Sequence, residues 1–287
     1  MPVSPDQRAT ALTVDGLSLS FGALRVIEGL QLSVDAGERH AILGPNGAGK
    51  TSLFNLLTGD LRPSAGRIRF FGDDVTRLPS FERVRRGMRR TYQSSLLFTS
   101  LSVRSNLAVA VRGVSPGRLS FRPLAADGED ARAVDQLLQR SGLADIADRP
   151  VAELSHGQQR QLEIGMALVG EPRLLLLDEP AAGLSPAERE DLVTLLTSLD
   201  PQIGFVLIEH DLDLALRVAE RMTVMHNGQV IRQGHPDVIV ADPTVQAIYM
   251  GGAVLVTEDE HRPTTAGGGR GAGAGAPLAM SAGPSVR

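Results

Sequence analysis

The only lysine of the chain, Lys50, lies in a glycine-rich segment that can hold phosphate groups. The segment has the glycine, lysine and hydroxyl residues of a phosphate-binding loop at the required spacing. In such a loop, backbone N–H groups turn inward around an anion, and the following helix adds positive charge at its N-terminus. A compact ammonium fits between phosphates where a planar guanidinium does not. We therefore predict that the segment binds ATP, with Lys50 on the β- and γ-phosphates and the Thr51 hydroxyl on Mg²⁺. The residues assigned to the nucleotide are Gly44, Pro45, Asn46, Gly47, Ala48, Gly49, Lys50, Thr51 and Ser52.

Two adjacent carboxylates directly follow a continuous apolar run, Leu174 to Leu177. A run of this kind is typical of a parallel strand that is covered on both faces. An acidic turn at a strand end is common, but beside a phosphate loop the first carboxylate is the expected partner of Mg²⁺. We predict that Asp178 binds the metal and that Glu179 is the general base that polarises an attacking water.

A third segment, Leu154 to Gln159, precedes a strongly helical stretch, Arg160 to Leu168. A capped helix would account for Ser155 alone, because serine is a good N-cap residue. It would not account for the glycine and glutamine that follow, whereas an anion site at a helix start would. We therefore assign Ser155, Gly157 and Gln158 to nucleotide binding.

Three further residues are candidates by their position. Gln93 lies in a polar loop, where its amide could reach a metal ion or a water, and it is assigned to both roles. His210 ends an apolar strand, at the sheet edge where parallel strands place catalytic groups. Phe21 could stack on an adenine, although a core position at a strand end is an equally good interpretation.

The elements that would position these residues are an antiparallel sheet, a parallel core sheet and an inserted helical region. Ala11 to Phe21 and Val26 to Val34 alternate apolar and polar residues, which predicts two antiparallel strands. Short strands are predicted at Arg39–Leu43, Gly66–Gly72, Arg89–Gln93 and Gly204–Ile208, and a hairpin at Met222–Gln233. The helical region runs from 94 to 168 and contains a loop at 115–130. Ser185 and Glu188 have the spacing of a capping box, with Pro186 at the first helical position.

Composition restricts the function further. The apolar fraction of 42% is sufficient for a full core, and the net charge of −4 gives no support to nucleic-acid binding. The absence of cysteine excludes disulfides and thiolate metal sites, and it fits a cytoplasmic protein. No apolar run approaches the ~20 residues of a membrane span, and the first residues do not form a signal peptide. We expect a flexible N-terminus at 1–10, one nucleotide-binding domain at 11–251 and a flexible glycine-rich tail at 252–287.

Taken in order, these segments resemble the nucleotide-binding subunit of ATP-binding-cassette (ABC) transporters over residues 11–251. The phosphate loop resembles Walker A, Arg90–Gln93 the Q-loop, and Leu154–Gln158 the signature motif, with His156 where glycine is commoner. Leu174–Glu179 resembles Walker B and Ala182–Ser185 the D-loop, and His210 resembles the switch histidine. The implied fold is α/β, a P-loop NTPase of the ABC-ATPase type with a parallel core sheet, an antiparallel β-subdomain and an inserted helical subdomain.

Within that family, the chain resembles the ATPases of branched-chain amino acid importers. This resemblance rests on Thr91-Tyr92-Gln93, on Pro180–Pro186 and on the ending Ile248–Gly251, and the insertion Gly113–Asp130 favours the LivG type. It implies two cassettes arranged head to tail around two ATP molecules, permease subunits in the membrane and, indirectly, a substrate-binding protein. The chain would then be cytoplasmic and peripheral on the inner face of the membrane. An export cassette, such as one serving lipopolysaccharide, and a soluble cassette protein remain as alternatives.

Overall fold

The structure, a computed structural model, describes residues 9–91, 97–114 and 128–249. The alternation of apolar and polar residues along the first two strands produces the predicted antiparallel sheet, which has the order β2-β1-β4-β5. The second described sheet has the order β10-β9-β3-β8-β7-β6 and is parallel except for the β9–β10 hairpin. The described strands are β1 (Thr10–Phe21), β2 (Leu24–Asp35), β3 (Arg39–Leu43), β4 (Ala65–Phe70), β5 (Asp73–Asp74), β6 (Met88–Thr91), β7 (Leu174–Asp178), β8 (Gly204–Glu209), β9 (Arg221–His226) and β10 (Gln229–Gly234).

The leucine run of β7 separates two parts of the core. Because successive side chains of a strand point to opposite faces, Leu174 and Leu176 pack with the antiparallel sheet and the first helix. Leu175 and Leu177 pack into the cluster formed by the helical region. This burial on both faces explains why β7 has no polar alternation and confirms the predicted parallel strand.

The helices cover the two faces of the parallel sheet. Those of the helical region, α3 to α5, contribute to the same apolar cluster as α6 and one face of β7 and β8. The described helices are α1 (Lys50–Thr58), α2 (Ser80–Arg85), α3 (Val103–Val114), α4 (Glu129–Arg140), α5 (His156–Ala167), α6 (Pro186–Thr197), α7 (Leu212–Val218), α8 (Pro236–Ala241) and α9 (Pro243–Tyr249). As predicted, Ser185 caps α6 through a capping box with Glu188 and Pro186 begins the helix.

Two predicted boundaries in the helical region are wrong. The loop predicted at 115–130 does not extend to Asp130, because α4 begins at Glu129, where two acidic residues in the first turn complement the helix dipole. The helix predicted from Arg160 begins four residues earlier, at His156. The predictions for 1–8, 92–96, 115–127 and 250–287 lie outside the described residues. Within the described part of the chain, no helix combines the length and apolar character needed to cross a membrane.

A buried arginine closes the C-terminal end of α1, the helix that follows the phosphate loop. The Arg83 Nη1 atom donates to the carbonyl oxygens of Leu56 and Leu57, at 2.7 Å each. Its Nε and Nη2 atoms donate to the carbonyls of Leu78 and Thr76, at 3.0 and 3.1 Å. Burial lowers the pKa of Arg83 to about 10, so the guanidinium remains charged at neutral pH. It therefore satisfies carbonyl groups that the end of a helix leaves without partners.

Replacing Arg83 with methionine should lower the free energy of unfolding by about 2–4 kcal/mol, because several buried carbonyls lose their donors. Urea denaturation monitored by circular dichroism would measure the loss. Arg85→Met on the same helix is the control, since this side chain is 56% exposed and makes only surface contacts, an ion pair with Glu82 and a cation–π contact with Phe81. The control should change stability by less than about 1 kcal/mol. Equal losses for the two variants would contradict a capping role for Arg83.

Candidate nucleotide-binding site

The phosphate loop connects the end of β3 to the start of α1. Gly49 is the N-cap of α1 and no side chain caps the helix, so its first amides have no side-chain acceptor. The loop begins at Gly44, where φ is +153° and an added Cβ would lie 2.2 Å from the carbonyl oxygen of Met225. Only glycine fits at that point. The loop therefore packs closely on β9. The amides at the start of α1 have no side-chain cap.

Lys50 is folded back onto its own loop. Its Nζ atom donates to the carbonyl oxygens of Gly44 at 2.6 Å and Pro45 at 3.0 Å, and the residue is only 5% exposed. Burial lowers the pKa of Lys50, while the negative charges of Glu179, Asp178 and Glu209 oppose that shift. The adjacent Thr51 is exposed. The Lys50 ammonium, held by two carbonyls, fits its assigned role at the phosphates. The exposed Thr51 hydroxyl fits its assigned role as a ligand of the metal.

Asp178 ends β7 and has no exposed surface. Its Oδ2 atom accepts a hydrogen bond from Arg90 Nη2 at 2.7 Å, and Arg90 lies on the neighbouring strand β6. Its Oδ1 atom is buried and has no hydrogen-bond partner in the described structure. A buried carboxylate oxygen without a partner is costly unless a cation completes it. This oxygen therefore fits the predicted binding of Mg²⁺ by Asp178.

Arg90 also connects the Asp178 carboxylate to α1. Its Nη1 atom donates to Asn55 Oδ1 at 2.6 Å and lies 3.4 Å from Asp60 Oδ2. The Arg90 guanidinium is 5.7 Å from the ring centre of Phe54, close enough for a cation–π interaction. The sequence analysis placed Arg90 only in a loop motif and missed this ion pair.

Glu179 and His210 end neighbouring parallel strands, β7 and β8, and their side chains approach each other. Glu179 Oε2 lies 4.0 Å from His210 Nδ1, which is too long for a hydrogen bond. Glu179 has φ +45°, an uncommon value for a residue with a side chain. Its side chain is 22% exposed and that of His210 is 57% exposed, so water can reach both. The proximity of these two groups is compatible with the predicted catalytic pair.

Glu209, immediately before His210, is a second buried carboxylate that the sequence analysis left unassigned. Its Oε1 atom accepts from the amide of Ala181 at 3.0 Å and its Oε2 atom from the amide of His210 at 3.3 Å. Burial raises the pKa of Glu209, and the hydrogen bonds from these two amides partly oppose that shift. Glu209 thus joins the segment after Glu179 to the end of β8. An apolar strand that ends in glutamate gives no signal of this contact.

The structure corrects the interpretation of the segment that begins at Ser155. Ser155 caps α5 by accepting from the amide of Gln158 at 3.3 Å, and the Gln158 side chain accepts from the Ser155 amide at 3.1 Å. The glutamine is therefore accounted for by a capping box, contrary to the prediction that a capped helix would explain the serine alone. Gly157 donates from its amide to Glu188 Oε1 at 2.9 Å. Ser155 and His156 are exposed, so this loop lies at the surface of the chain.

The remaining predicted site residues differ in their placement. Phe21 is 54% exposed at the end of β1, which excludes the alternative that it is a core residue in this chain. Gln93 lies outside the described residues. His40 is fully buried, with Nδ1 2.7 Å from Glu38 Oε1 and Nε2 2.7 Å from Thr223 Oγ1. In the described ranges, no three His, Cys, Asp or Glu side chains cluster to hold a metal. Mg²⁺ commonly binds through one or two carboxylates and the phosphates of its substrate.

The fold and these loops define a P-loop protein built to hold nucleotide phosphates. Residues 27–182 match the model of the ABC transporter family, which is more than half of the 287-residue chain. The chain belongs to the ABC transporter family, and the predicted family and ABC-ATPase fold are confirmed.

Its relatives support a narrower comparison. The chain is 36% identical to the high-affinity branched-chain amino acid transport ATP-binding protein BraF of Pseudomonas aeruginosa, over 84% of this chain and 98% of BraF. It is 37% identical to the corresponding LivG protein of Escherichia coli K12, over 84% of this chain and 98% of LivG. A crystal structure of the ADP conformation of an ABC transporter cassette matches with a TM-score of 0.74 and 31% identity, over 84% of this chain and 99% of that one.

The buried pair of Arg90 and Asp178 generates a stability prediction. Arg90→Met should lower the free energy of unfolding by about 3–5 kcal/mol, because it leaves the Asp178 carboxylate buried without its cation. Denaturant unfolding of the nucleotide-free protein would measure it. Adding Asp178→Asn to that variant should restore part of the loss, since the uncompensated charge is then removed. Additive losses in the double variant would mean that the two side chains do not interact.

Proposed function

We propose that this chain is the ATP-hydrolysing subunit of an importer for branched-chain amino acids or related small solutes. The observation that carries the proposal is the match to BraF and LivG along 98% of their lengths. Both relatives bear names of branched-chain amino acid transport ATP-binding proteins. The phosphate loop and the paired ends of β7 and β8 support the ATPase part independently of those names.

In this proposal, the amides from Asn46 to Ser52 and the ammonium of Lys50 bind the phosphates of ATP. Lys50 would exchange the carbonyls of Gly44 and Pro45 for phosphate oxygens, which are stronger acceptors because they are charged. When bound, Mg²⁺ neutralises charge that develops on the phosphates. The Thr51 hydroxyl and the free Oδ1 atom of Asp178 would hold it, and Gln93 is proposed as a further ligand.

Glu179 is proposed as the general base. It is the exposed member of the acidic pair, whereas Asp178 is fully buried and held by Arg90. The left-handed backbone of Glu179 is supported by its amide, which donates to the carbonyl of Ile208 at 3.0 Å. A strained backbone that neighbouring contacts hold in place is common where a side chain must be aimed. His210, on the adjoining strand, would orient the water or the terminal phosphate.

The loop of Ser155, Gly157 and Gln158 is proposed to complete the site of a second cassette. This loop lies at the surface on the helical region, and its amides begin a helix. An exposed helix start can bind an anion that another subunit carries. The second cassette would be a copy of this chain or a paralogous ATPase, arranged head to tail.

The permease contact is proposed for the exposed apolar side chains on both sides of 92–96. Phe81 is 57% exposed on α2, and Phe98 is 49% exposed. Val84 on α2 and Leu101 are also exposed large apolar residues. We propose that a cytoplasmic segment of a permease subunit, with complementary apolar side chains, covers them. The chain would then act at the inner face of the membrane while remaining cytoplasmic.

Glu179→Gln should suppress Mg²⁺-dependent ATP hydrolysis by about 10²-fold or more while sparing ATP binding, because only the proton acceptor is lost. Phosphate release and binding of a fluorescent ATP analogue would be measured on the same samples. Glu190→Gln is the matched control, since this exposed glutamate on α6 pairs with Arg217 at 2.5 Å. Undiminished turnover in the Glu179 variant would remove Glu179 from the role of base.

The cargo is tested in cells from which the gene has been deleted. Uptake of labelled leucine, isoleucine and valine should fall, and a plasmid copy of the gene should restore it. A copy carrying Glu179→Gln should not restore uptake, which links transport to hydrolysis. Normal uptake of all three in the deletion strain would overturn the proposed cargo. Loss of export of a cell-surface lipid, with uptake intact, would favour the exporter alternative.

A further inference from the structure

Glu188 lies between the starts of two helices and contacts both. One carboxylate oxygen, Oε2, accepts from the amide of Ser185 at 2.9 Å and from its hydroxyl at 2.8 Å, which closes the capping box of α6. The other oxygen, Oε1, accepts from the amide of Gly157 at 2.9 Å, in the first turn of α5. A residue that caps its own helix therefore also binds the amide of a second helix, since α5 begins at His156 and α6 begins 30 residues later at Pro186.

The approach of Glu188 to α5 depends on the residue type at 157. A Cβ atom added at Gly157 would lie 2.6 Å from Glu188 Cγ and 2.8 Å from Oε1. Any larger residue would push the carboxylate away. Gly157, which the sequence analysis assigned to nucleotide binding, is thus also required for this contact.

The ionised form of the Glu188 carboxylate is also stabilised in this position. The Ser185 amide, the Ser155 side chain, the Gly157 amide and the Ser185 hydroxyl all donate to it, and they lower the pKa of Glu188 to about 2. A full negative charge therefore lies at the start of α5 at neutral pH. It contacts two of the residues, Ser155 and Gly157, that the proposed function assigns to the phosphate of a second cassette.

We propose that Glu188 is a self-inhibitory anion: it occupies the Gly157 amide in the separated subunit and must be displaced before the ATP of a second cassette can bind there. This inference rests on the proposed role of the Ser155–Gln158 loop. Two anions cannot share one N–H donor at full strength, and their like charges repel each other. The contact would therefore raise the ATP concentration at which two cassettes close. It would leave the subunit's own phosphate loop unaffected, because that loop begins a different helix.

The test compares Glu188→Gln with wild type in the transporter purified with its permease and ATPase partners. Glutamine can still complete a capping box, so α6 should remain capped. It removes the charge, and a hydrogen bond to a neutral acceptor is about half as strong. We expect the ATP concentration for half-maximal hydrolysis to fall by roughly three- to tenfold. Binding of a fluorescent ATP analogue to the isolated chain should be unchanged, which separates this effect from tighter binding at Lys50.

Glu190→Gln is the matched control, because it makes the same charge change on the same helix and the Glu190 carboxylate pairs with Arg217. It should leave the half-saturating ATP concentration at the wild-type value. Glu188→Asp is a second variant with a shorter side chain that draws the carboxylate back from Gly157, and it should shift the concentration in the same direction. A value that is unchanged or higher in folded Glu188→Gln, or in Glu188→Asp if the first variant does not fold, would overturn the proposal.

A separate variant distinguishes failure of this inference from failure of the proposed function. Ser155→Arg places a large side chain on the loop and should abolish hydrolysis by the assembled transporter if that loop meets the second ATP. Full activity in this variant would overturn the proposed role of the loop, and the inference about Glu188 with it. Loss of activity in Ser155→Arg with no shift in Glu188→Gln would overturn the inference alone.

Discussion

The site depends on one buried ion pair, between Asp178 and Arg90. A carboxylate with no exposed surface is stable as an anion only if a cation or several donors balance it. Arg90 supplies that cation from the neighbouring strand at 2.7 Å, and it does so through one carboxylate oxygen. The other oxygen stays free for a metal. The same guanidinium contacts Asn55 on the helix that follows the phosphate loop. The Arg90 side chain thus links the Asp178 carboxylate to α1, the helix that follows the phosphate loop.

The carboxylates at this edge of the sheet have different partners. Asp178 pairs with Arg90, whereas Glu209 accepts from two backbone amides, lies 3.8 Å from His210 Nδ1 and has a pKa raised by burial. Glu179 differs from both, because its carboxylate is reached by water and lies 4.0 Å from His210 Nδ1. Of the two consecutive acidic residues, Asp178 is fully buried and the Glu179 side chain is 22% exposed. This difference in burial fits the separate roles proposed for them, with Asp178 at the metal and Glu179 as the base.

Much of this arrangement could be predicted from the sequence, because local rules determine it. The apolar runs at β3, β7 and β8 fix parallel strands, and their ends bring Asp178 and His210 to the same edge as the phosphate loop. The capping box at Ser185 was also predicted from the sequence. The one at Ser155 has the same spacing, serine followed three residues later by glutamine, and that signal was available but given a binding interpretation. The contacts of Arg83 and Arg90, and that of Glu188 with Gly157, could not have been found this way. Their partners lie far away in the chain. Because nearly every long basic side chain of this sequence is an arginine, the residue type does not distinguish a buried cation from an exposed one.

The N-termini of α1, α5 and α6 differ in whether side chains of the protein already accept hydrogen bonds from their first amides. At α6 the first amides are closed by Ser185 and Glu188. At α5 they are closed by Ser155 and Gln158, and the Gly157 amide is taken by a carboxylate from α6. At α1 the cap is Gly49, which has no side chain, so the amides there are left for a ligand. Of these three helices, α1 can therefore accept an anion without displacing another group. An anion that approached α5 would first have to compete with Glu188 for the Gly157 amide.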